Sequence, residues 1–157
     1  MIFLMLALGI GLSGSQQGLP IGQGILPDRD FQSTLFQSTL EEEAAVFAGA
    51  WTDKNAGALK DHMATAGIRL HLPDEEHVLI RPRQAQAALE EFLNRYGDGE
   101  AALSRVSLAG DEGKVGFAEI RWQTTSPGLP EAVTFTVFLG YSLIDERWTV
   151  NEIRVLL

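Results

Sequence analysis

The segment from Val115 to Leu157 constrains the fold more than any other part of the chain, because it predicts three consecutive strands. In the middle strand, apolar and more polar residues alternate with a period of two, which indicates a half-buried strand. The strands are Val115–Thr125, Glu131–Leu143 and Trp148–Leu156; Val133, Phe135, Val137, Leu139 and Tyr141 form one face of the middle strand, and Thr134, Thr136, Phe138 and Ser142 form the other. A Pro/Gly loop and a short polar turn connect the three strands, so they predict an antiparallel meander.

Composition excludes several functions. A chain of 157 residues is long enough for one domain with its own core. The net charge of -9 argues against nucleic-acid binding, which needs clustered Lys and Arg. The absence of cysteine removes disulfides, thiolate metal sites and a cysteine nucleophile.

The N-terminal stretch predicts export. Residues 1–12 are apolar and uncharged, and small polar residues follow at 13–17, as in the apolar and cleavage regions of a signal peptide. No Lys or Arg precedes the apolar run, so either the α-amino group supplies the positive charge or the true start lies upstream. We therefore expect a signal peptide at 1–18 and a periplasmic or secreted domain without membrane contact after cleavage. An uncleaved anchor is the alternative.

Three helices are expected before the meander. Residues 19–34 are interpreted as a linker and 35–157 as the domain, with a first helix at Leu35–Trp51. Two tandem FQSTL copies, at 31–35 and 36–40, would be rotated by about 140° on a helix, so Phe31 and Phe36 cannot share one buried stripe. Glu41–Glu43 is interpreted as a solvated face near the helix N-terminus.

The middle of the chain predicts shorter elements. A second helix is expected at Asn55–Ala64 with a cap from Thr52 and Asp53, then a strand at Gly67–Pro73 and a charged turn at 74–77. That turn lacks the alternating spacing and glycine of a calcium loop, so no metal site is predicted. A third helix begins at Pro82 and is expected to stop at Gly97, followed by a strand at Ala101–Ala109.

This order of elements, and several local matches, resemble the nuclear transport factor 2-like superfamily. The matching pieces are residues 45–51, 56–63, 67–72 and 82–85, with Leu89, Phe92 and Leu93, and the closing segment 148–153. The resemblance implies an α+β fold in which three N-terminal helices pack in the concave face of a strongly curved, mainly antiparallel sheet, the cystatin-like or cone fold. It is closest to an exported bacterial branch whose function is unassigned.

The residues give no strong catalytic set. Superfamily enzymes often pair a His or Tyr with an Asp or Glu inside the cone, but here His62 follows Asp61, which is more typical of a surface pair. His71, Glu119 and Arg121 are weak catalytic candidates. Strand alternation places Glu119 and Arg121 opposite the apolar face, where an ordinary cross-strand ion pair is the more frequent arrangement. Nucleophile-elbow, zinc-helix and phosphate-loop motifs are absent from the sequence, and no cofactor is expected.

The aromatic residues predict a binding pocket. Trp51, Tyr96, Trp122 and Tyr141 all point at the space between helices and sheet, and buried Trp and Tyr need polar partners. A filled core, with the polar atoms satisfied by backbone, is the alternative.

Two functions stay open from the sequence. The first is an exported non-catalytic domain that binds a small apolar molecule or a protein partner; the second is a cofactor-free isomerase or hydrolyase. A homodimer is expected through the outer sheet face, where Thr134, Thr136 and Phe138 form a mildly apolar surface. The alternative is a monomer whose sheet is covered by the N-terminal segment.

Overall fold

The computed structural model describes residues 29–110 and 112–157. The predicted signal peptide and the linker residues 19–28 lie outside the described residues. Three helices and six strands follow in chain order: α1 Arg29–Thr52, α2 Ala56–Asp61, β1 Ile68–Leu72, β2 Glu75–Ile80, α3 Pro82–Asn94, β3 Glu100–Ala109, β4 Val115–Thr125, β5 Ala132–Ile144 and β6 Arg147–Leu156.

All six strands form one sheet in the order β2-β1-β6-β5-β4-β3. The β1–β6 pair is parallel, and the other neighbouring pairs are antiparallel. The register shifts by one residue in β3 at Ser104 and in β6 at Asn151, and such bulges bend a sheet. The predicted α+β architecture and the meander β4–β5–β6 are therefore confirmed.

The helices pack on the concave face of this sheet. The inner positions of β4, β5 and β6 are buried together with the apolar stripes of α1 and α3 in one core. On β5 this face consists of the five alternating residues predicted from the sequence, of which Val133 is half-buried and the others are fully buried.

Helix α1 begins at Arg29, six residues earlier than predicted, so residues 29–34 are helical and do not continue the linker. The hydroxyls of Ser33 and Thr34 donate to the carbonyl of Asp30. These hydrogen bonds form within the first turns of the helix and could not be predicted from the polar composition of the segment. Phe31 is 57% exposed whereas Phe36 packs against the core. The prediction that the two copies of the repeat face different directions is confirmed.

Two local predictions about helix caps were wrong. Asn55, and not Thr52 or Asp53, caps α2 by accepting a hydrogen bond from the Ala58 N–H. Helix α3 ends at Asn94, and the Gly97 N–H donates to the Thr125 carbonyl across the chain, so Gly97 is fixed by the sheet and is not the helix cap.

The prediction of a charged turn at 74–77 is also wrong for residues 75–77, because they begin strand β2, which pairs with β1 as a hairpin at the edge of the sheet. Its side chains are at most half-buried, and it lacks the apolar alternation from which a strand is predicted. Within it, His77 contacts Glu75 at 3.1 Å, while Asp74 at the turn accepts a hydrogen bond from Arg95 at 2.9 Å. Each of these side chains therefore has a partner among the described residues.

Candidate functional sites

An aromatic cluster fills the inner space at the end of α3. Trp122 on β4 lies with its ring centroid 6.0 Å from Trp51 on α1, and 5.5 Å from Tyr96 just after α3. Tyr96 also lies 5.0 Å from Phe135 on β5, and Phe92 contacts the same rings. The structure thus brings together three of the four residues predicted to bind a ligand.

The cluster is closed, and polar atoms of the buried interior, inside the cluster and beyond it, lack partners. Trp51, Trp122 and Tyr141 are fully buried, and Tyr96 is half-buried at the edge. Among the described residues, nothing accepts a hydrogen bond from the indole nitrogen of Trp51 or Trp122, and the Tyr141 hydroxyl also has no partner. A buried polar group without a partner costs roughly 1–3 kcal/mol. The interior is therefore packed as a core, yet its polar atoms are not satisfied by backbone.

A glycine loop covers one of these indole groups. A Cβ placed on Gly99 would lie only 2.8 Å from Nε1 of Trp122 and 2.4 Å from the Gln123 carbonyl oxygen. Lys54 reaches this loop from the end of α1, donating to the Tyr96 carbonyl at 2.7 Å and lying 3.8 Å from the Asp98 carboxylate. Because a side chain at position 99 would collide with the strand, glycine is needed for the close approach.

At the other end of the inner face, Glu43 on α1 forms a hydrogen bond with His62, which follows α2. The two side chains are 27% and 18% exposed, and the Phe47 ring packs edge-on against the imidazole at 6.1 Å. Two predictions are corrected here. Glu43 is not part of a solvated face, and His62 does not pair with Asp61, which lies 3.5 Å from Lys60.

Tyr141 borders this pair. The His62 carbonyl accepts a hydrogen bond from the Val150 N–H, and Val150 is the β6 neighbour of Tyr141. Burial raises the pKa of the Tyr141 phenol well above its usual range, and the negative charge of Glu43 raises it further. Tyr141 therefore stays neutral and can donate a hydrogen bond, but it lies apart from the Trp51–Trp122 cluster.

A cleft of about 330 Å³ opens beside the pair, between α1 and the β5–β6 turn. Glu43 forms part of its wall, and the cleft is otherwise lined by Thr39, Glu42, Val46, Glu146, Arg147 and Trp148. The Trp148 indole N–H donates to the Thr39 hydroxyl at 3.1 Å, so this third tryptophan is satisfied.

The weak catalytic candidates lie on the other side of the sheet. His71 contacts Glu76 at 3.2 Å across the β1–β2 hairpin, and Glu119 accepts a hydrogen bond from the Ser104 hydroxyl. Arg121 is exposed, and within residues 29–110 and 112–157 neither it nor Glu119 forms an ion pair. His71, Glu119 and Arg121 do not line the interior together, so they form no common acid–base site there.

The outer face of the sheet carries an apolar patch. Phe117, Phe138 and Leu156 are 48%, 39% and 47% exposed and surround a cleft of about 430 Å³. Glu152 and Arg154 complete its wall, and a second cleft of about 250 Å³ lies on the other side of the two phenylalanines. Large exposed apolar patches mark sites of interaction.

No family model matches the sequence, and no curated protein matches it. Several solved structures match the fold. One is a protein with a ketosteroid isomerase-like fold from Catenulispora acidiphila, in complex with trimethylamine, with 15% identity, a TM-score of 0.59, and coverage of 74% of this chain and 85% of that chain. Another is a DUF4783 family protein from Bacteroides ovatus, with 16% identity, a TM-score of 0.57, and coverage of 71% and 91%.

A third is a nuclear transport factor 2-like protein of unknown function from Shewanella oneidensis, with 14% identity, a TM-score of 0.56, and coverage of 75% and 96%. The chain has the nuclear transport factor 2-like fold. At these identities the likeness concerns the fold alone, because one fold supports many unrelated functions. Within residues 29–110 and 112–157, no helix is long and apolar enough to cross a membrane.

Sequence reasoning missed the Glu43–His62 pair, whose members are 19 residues apart. One signal was available. Glu43 lies three residues after Leu40 and four before Phe47, which places it on the buried side of the first helix of this nuclear transport factor 2-like fold. Its partner His62 could not be identified in the same way, because the contact depends on how α2 packs against α1 and residue spacing does not predict that packing.

Proposed function

We propose that the chain is an exported, non-catalytic binding domain that associates with a second copy of itself through the outer face of the sheet. The observation that carries this proposal is the exposed apolar patch of Phe117, Phe138 and Leu156 around the 430 Å³ cleft. Thr134 and Thr136 extend this surface along β5, and β-branched side chains on a pleated face pack well against a similar face.

Charge supports a second copy as the partner. Two chains that each carry a net charge of -9 repel each other unless their contact surface is locally less acidic. The outer positions of β3 to β6 carry Arg105, Arg121 and Arg154 against Glu100, Glu119 and Glu152, so positive and negative side chains balance on this face. Two copies can therefore meet here without bringing their excess negative charge together.

Sedimentation equilibrium of the leader-free chain at micromolar concentration tests the dimer. We expect a dimer mass for the parent chain and a monomer mass for Phe138→Lys, because an interface aromatic contributes about 2 kcal/mol, or roughly a 30-fold change in dissociation constant. Phe31→Lys is a matched control, since Phe31 is 57% exposed but lies on α1. It should leave the dimer intact.

A monomer mass for the parent chain contradicts the dimer. If the parent is monomeric and an apolar dye still binds the 430 Å³ cleft, with binding lost in Phe138→Lys, the occupant of this face is a small apolar molecule. The cleft volume of about 430 Å³ is within the range of small-molecule sites.

Export is supported by the uncharged apolar run at 1–12 and the small residues that follow it. We expect cleavage between Ser13 and Gly18 in a producing bacterial cell. N-terminal sequencing of the recovered protein checks it, and an intact Met1 in the cytoplasmic fraction rejects export.

The Glu43–His62 pair favours a second candidate function, a cofactor-free isomerase or hydrolyase. If the carboxylate holds the proton on Nδ1 of His62, Nε2 is free to act as a base, and neutral Tyr141 is a hydrogen-bond donor nearby. These are the groups that proton abstraction next to a carbonyl requires.

Exchange of the α-protons of cyclohexanone in D₂O, followed by NMR, separates the two functions. An enzyme should exchange them faster than buffer, and His62→Gln should abolish the excess rate. His77→Gln is the matched control, because His77 also contacts a glutamate but lies on the edge strand β2. Exchange at the buffer rate supports the non-catalytic proposal.

A further inference from the structure

The three exposed apolar residues of the outer patch lie on one line across neighbouring strands. In the register of the sheet, Phe117 on β4 is opposite Gly140, which lies two residues after Phe138 on β5. Leu156 on β6 is opposite Thr136, which lies two residues before Phe138. Same-face residues of one strand are about 6.6 Å apart and neighbouring strands about 4.8 Å apart, so this apolar diagonal runs obliquely to the strands.

Charged side chains flank the apolar diagonal on both sides. On β4, Glu119 is opposite Phe138 and Arg121 follows two residues later, which places both on one side of the diagonal. On β6, Arg154 is opposite Phe138 and Glu152 precedes it, which places both on the other side. Each side of the diagonal therefore carries one carboxylate and one guanidinium group.

The two sides differ in how these charges are paired. The Glu152 carboxylate lies 2.9 Å from the Arg154 guanidinium and 3.7 Å from that of Arg69. Glu119 and Arg121, in contrast, form no ion pair in the part of the chain that the structure describes. A second surface with the opposite order of charges can therefore pair with both of them.

On the basis of the proposed dimer, we infer that the apolar diagonals of the two copies lie on each other in opposite directions. The two-fold axis then lies in the interface, at Phe138 and perpendicular to the diagonal. Phe138 meets its own copy, and Phe117 meets Leu156 of the second copy. The same rotation brings Glu119 of each copy to Arg121 of the other, and Arg154 to Glu152.

Other directions of the two-fold axis match the two faces less well. An axis perpendicular to the strands places Glu119 against Glu119 and Arg154 against Arg154 of the second copy. An axis parallel to the strands places Phe117 on Glu152, and an axis along the apolar diagonal brings Glu119 close to Glu152. Like charges that face each other across an interface oppose association. The axis perpendicular to the diagonal pairs apolar with apolar positions and negative with positive ones.

The curvature of the sheet limits the contact to these strands. The helices occupy the concave face, so the outer face is convex, and two convex faces touch around their centres. β6 and β5 occupy the two middle positions of the sheet, with β4 beside β5. Arg105 is opposite Glu119 in the register, but it lies on the edge strand β3, which curves away from the second copy.

Charge reversal in the leader-free chain tests this arrangement by sedimentation equilibrium and native mass spectrometry. Glu119→Arg and Arg121→Glu should each raise the dimer dissociation constant roughly 30-fold, because each places like charges at both symmetry-related contacts. An equimolar mixture of the two variants should form a heterodimer, with a dissociation constant within about threefold of that of the parent dimer. In this mixed dimer, opposite charges face each other again. The double variant Glu119→Arg/Arg121→Glu should also recover a homodimer, which shows that the reversed side chains leave the fold intact.

Glu100→Arg is the matched control. It changes the net charge by the same amount as Glu119→Arg, and Glu100 lies on the outer face at the start of β3, away from the apolar diagonal. The dissociation constant of this control should stay within about threefold of the parent value. A monomeric parent chain rejects the proposed dimer and this arrangement together. A dimeric parent whose single variants remain dimeric, or whose mixture forms no heterodimer, rejects the arrangement alone.

Discussion

The inner and outer faces of the same strands differ in what their aromatic residues do. On β4, Trp122 faces inward and is fully buried, whereas Phe117 faces outward and is 48% exposed. On β5, Phe135 and Phe138 make the same contrast three residues apart. Because successive side chains point to opposite faces, one strand can hold the core together and also present an apolar surface. The inner aromatics are therefore expected to govern stability, and the outer ones association.

The inner face is buried throughout, but the polarity of its side chains differs from one end to the other. At the end near α3 it holds rings with two unpaired donors, and at the opposite end it holds Glu43, His62 and the phenol of Tyr141. The outer face, in contrast, has its charges near water, where ion pairs contribute little. Polar groups thus have their largest energetic consequences on the face that is mostly apolar.

Trp122→Ala should show the largest difference between the faces. Deleting a buried tryptophan leaves a cavity, so the free energy of unfolding should fall by roughly 3–5 kcal/mol if the site is a filled core. The neighbour Arg121 faces outward and is exposed, and Arg121→Ala should change stability by about 0.5 kcal/mol or less. Urea denaturation of both variants measures the contrast. A small loss for Trp122→Ala would instead indicate a pocket that stays open in the empty protein.

Much of this contrast could be predicted from the sequence, because a period of two over β4 and β5 assigns each side chain to a face. Trp122 and Tyr141 were correctly assigned to the inner face, and Phe138 to the outer face. Strand β2 could not be predicted, because an edge strand with no buried side has no apolar alternation. The orphan nitrogens also could not be predicted, since they depend on how rings from α1, α3 and β4 meet.

Tyr141→Phe should separate the polar and apolar contributions of the inner face. Near neutral pH the variant should be as stable as the parent or about 1 kcal/mol more stable, because it loses a buried hydroxyl without a partner. The raised pKa makes the parent sensitive to alkali. The native state keeps the phenol neutral, while the unfolded chain releases its proton above about pH 10.

The stabilisation linked to this raised pKa is therefore complete below about pH 10, and it is lost as the pH rises toward the pKa of Tyr141 in the folded state. The parent should lose about 1.4 kcal/mol per pH unit above pH 10 relative to Tyr141→Phe. Tyr96, the second tyrosine, is present in both chains, so its titration contributes equally to both and does not affect the difference. Parallel denaturation curves at all pH values would show that Tyr141 is not buried as a neutral phenol.

A double-mutant cycle on Glu43→Gln and His62→Gln should give a smaller effect. The two side chains are partly exposed, so we expect a coupling free energy of about 1 kcal/mol, below that of a fully buried charged hydrogen bond. The pair Glu75 and His77 on the edge strand is the outer comparison, with side chains 36% and 34% exposed. The coupling free energy of this outer pair should be near zero. Equal coupling free energies for the two pairs would show that the inner position does not strengthen the interaction.

Phe117→Thr should have the smallest effect on stability and still alter the molecule's behaviour. Phe117 lies on the outer face, where it is 48% exposed and borders both outer clefts. Threonine keeps the strand preference, so the free energy of unfolding of the monomer should change by only about 0.5 kcal/mol. The dimer dissociation constant should nevertheless rise about tenfold, since an aromatic contact at an interface contributes more than 1 kcal/mol. Urea denaturation at low concentration and sedimentation equilibrium measure the two quantities on the same sample. Loss of stability without loss of association would reverse the assignment, because the outer aromatics would then support the fold and not the partner.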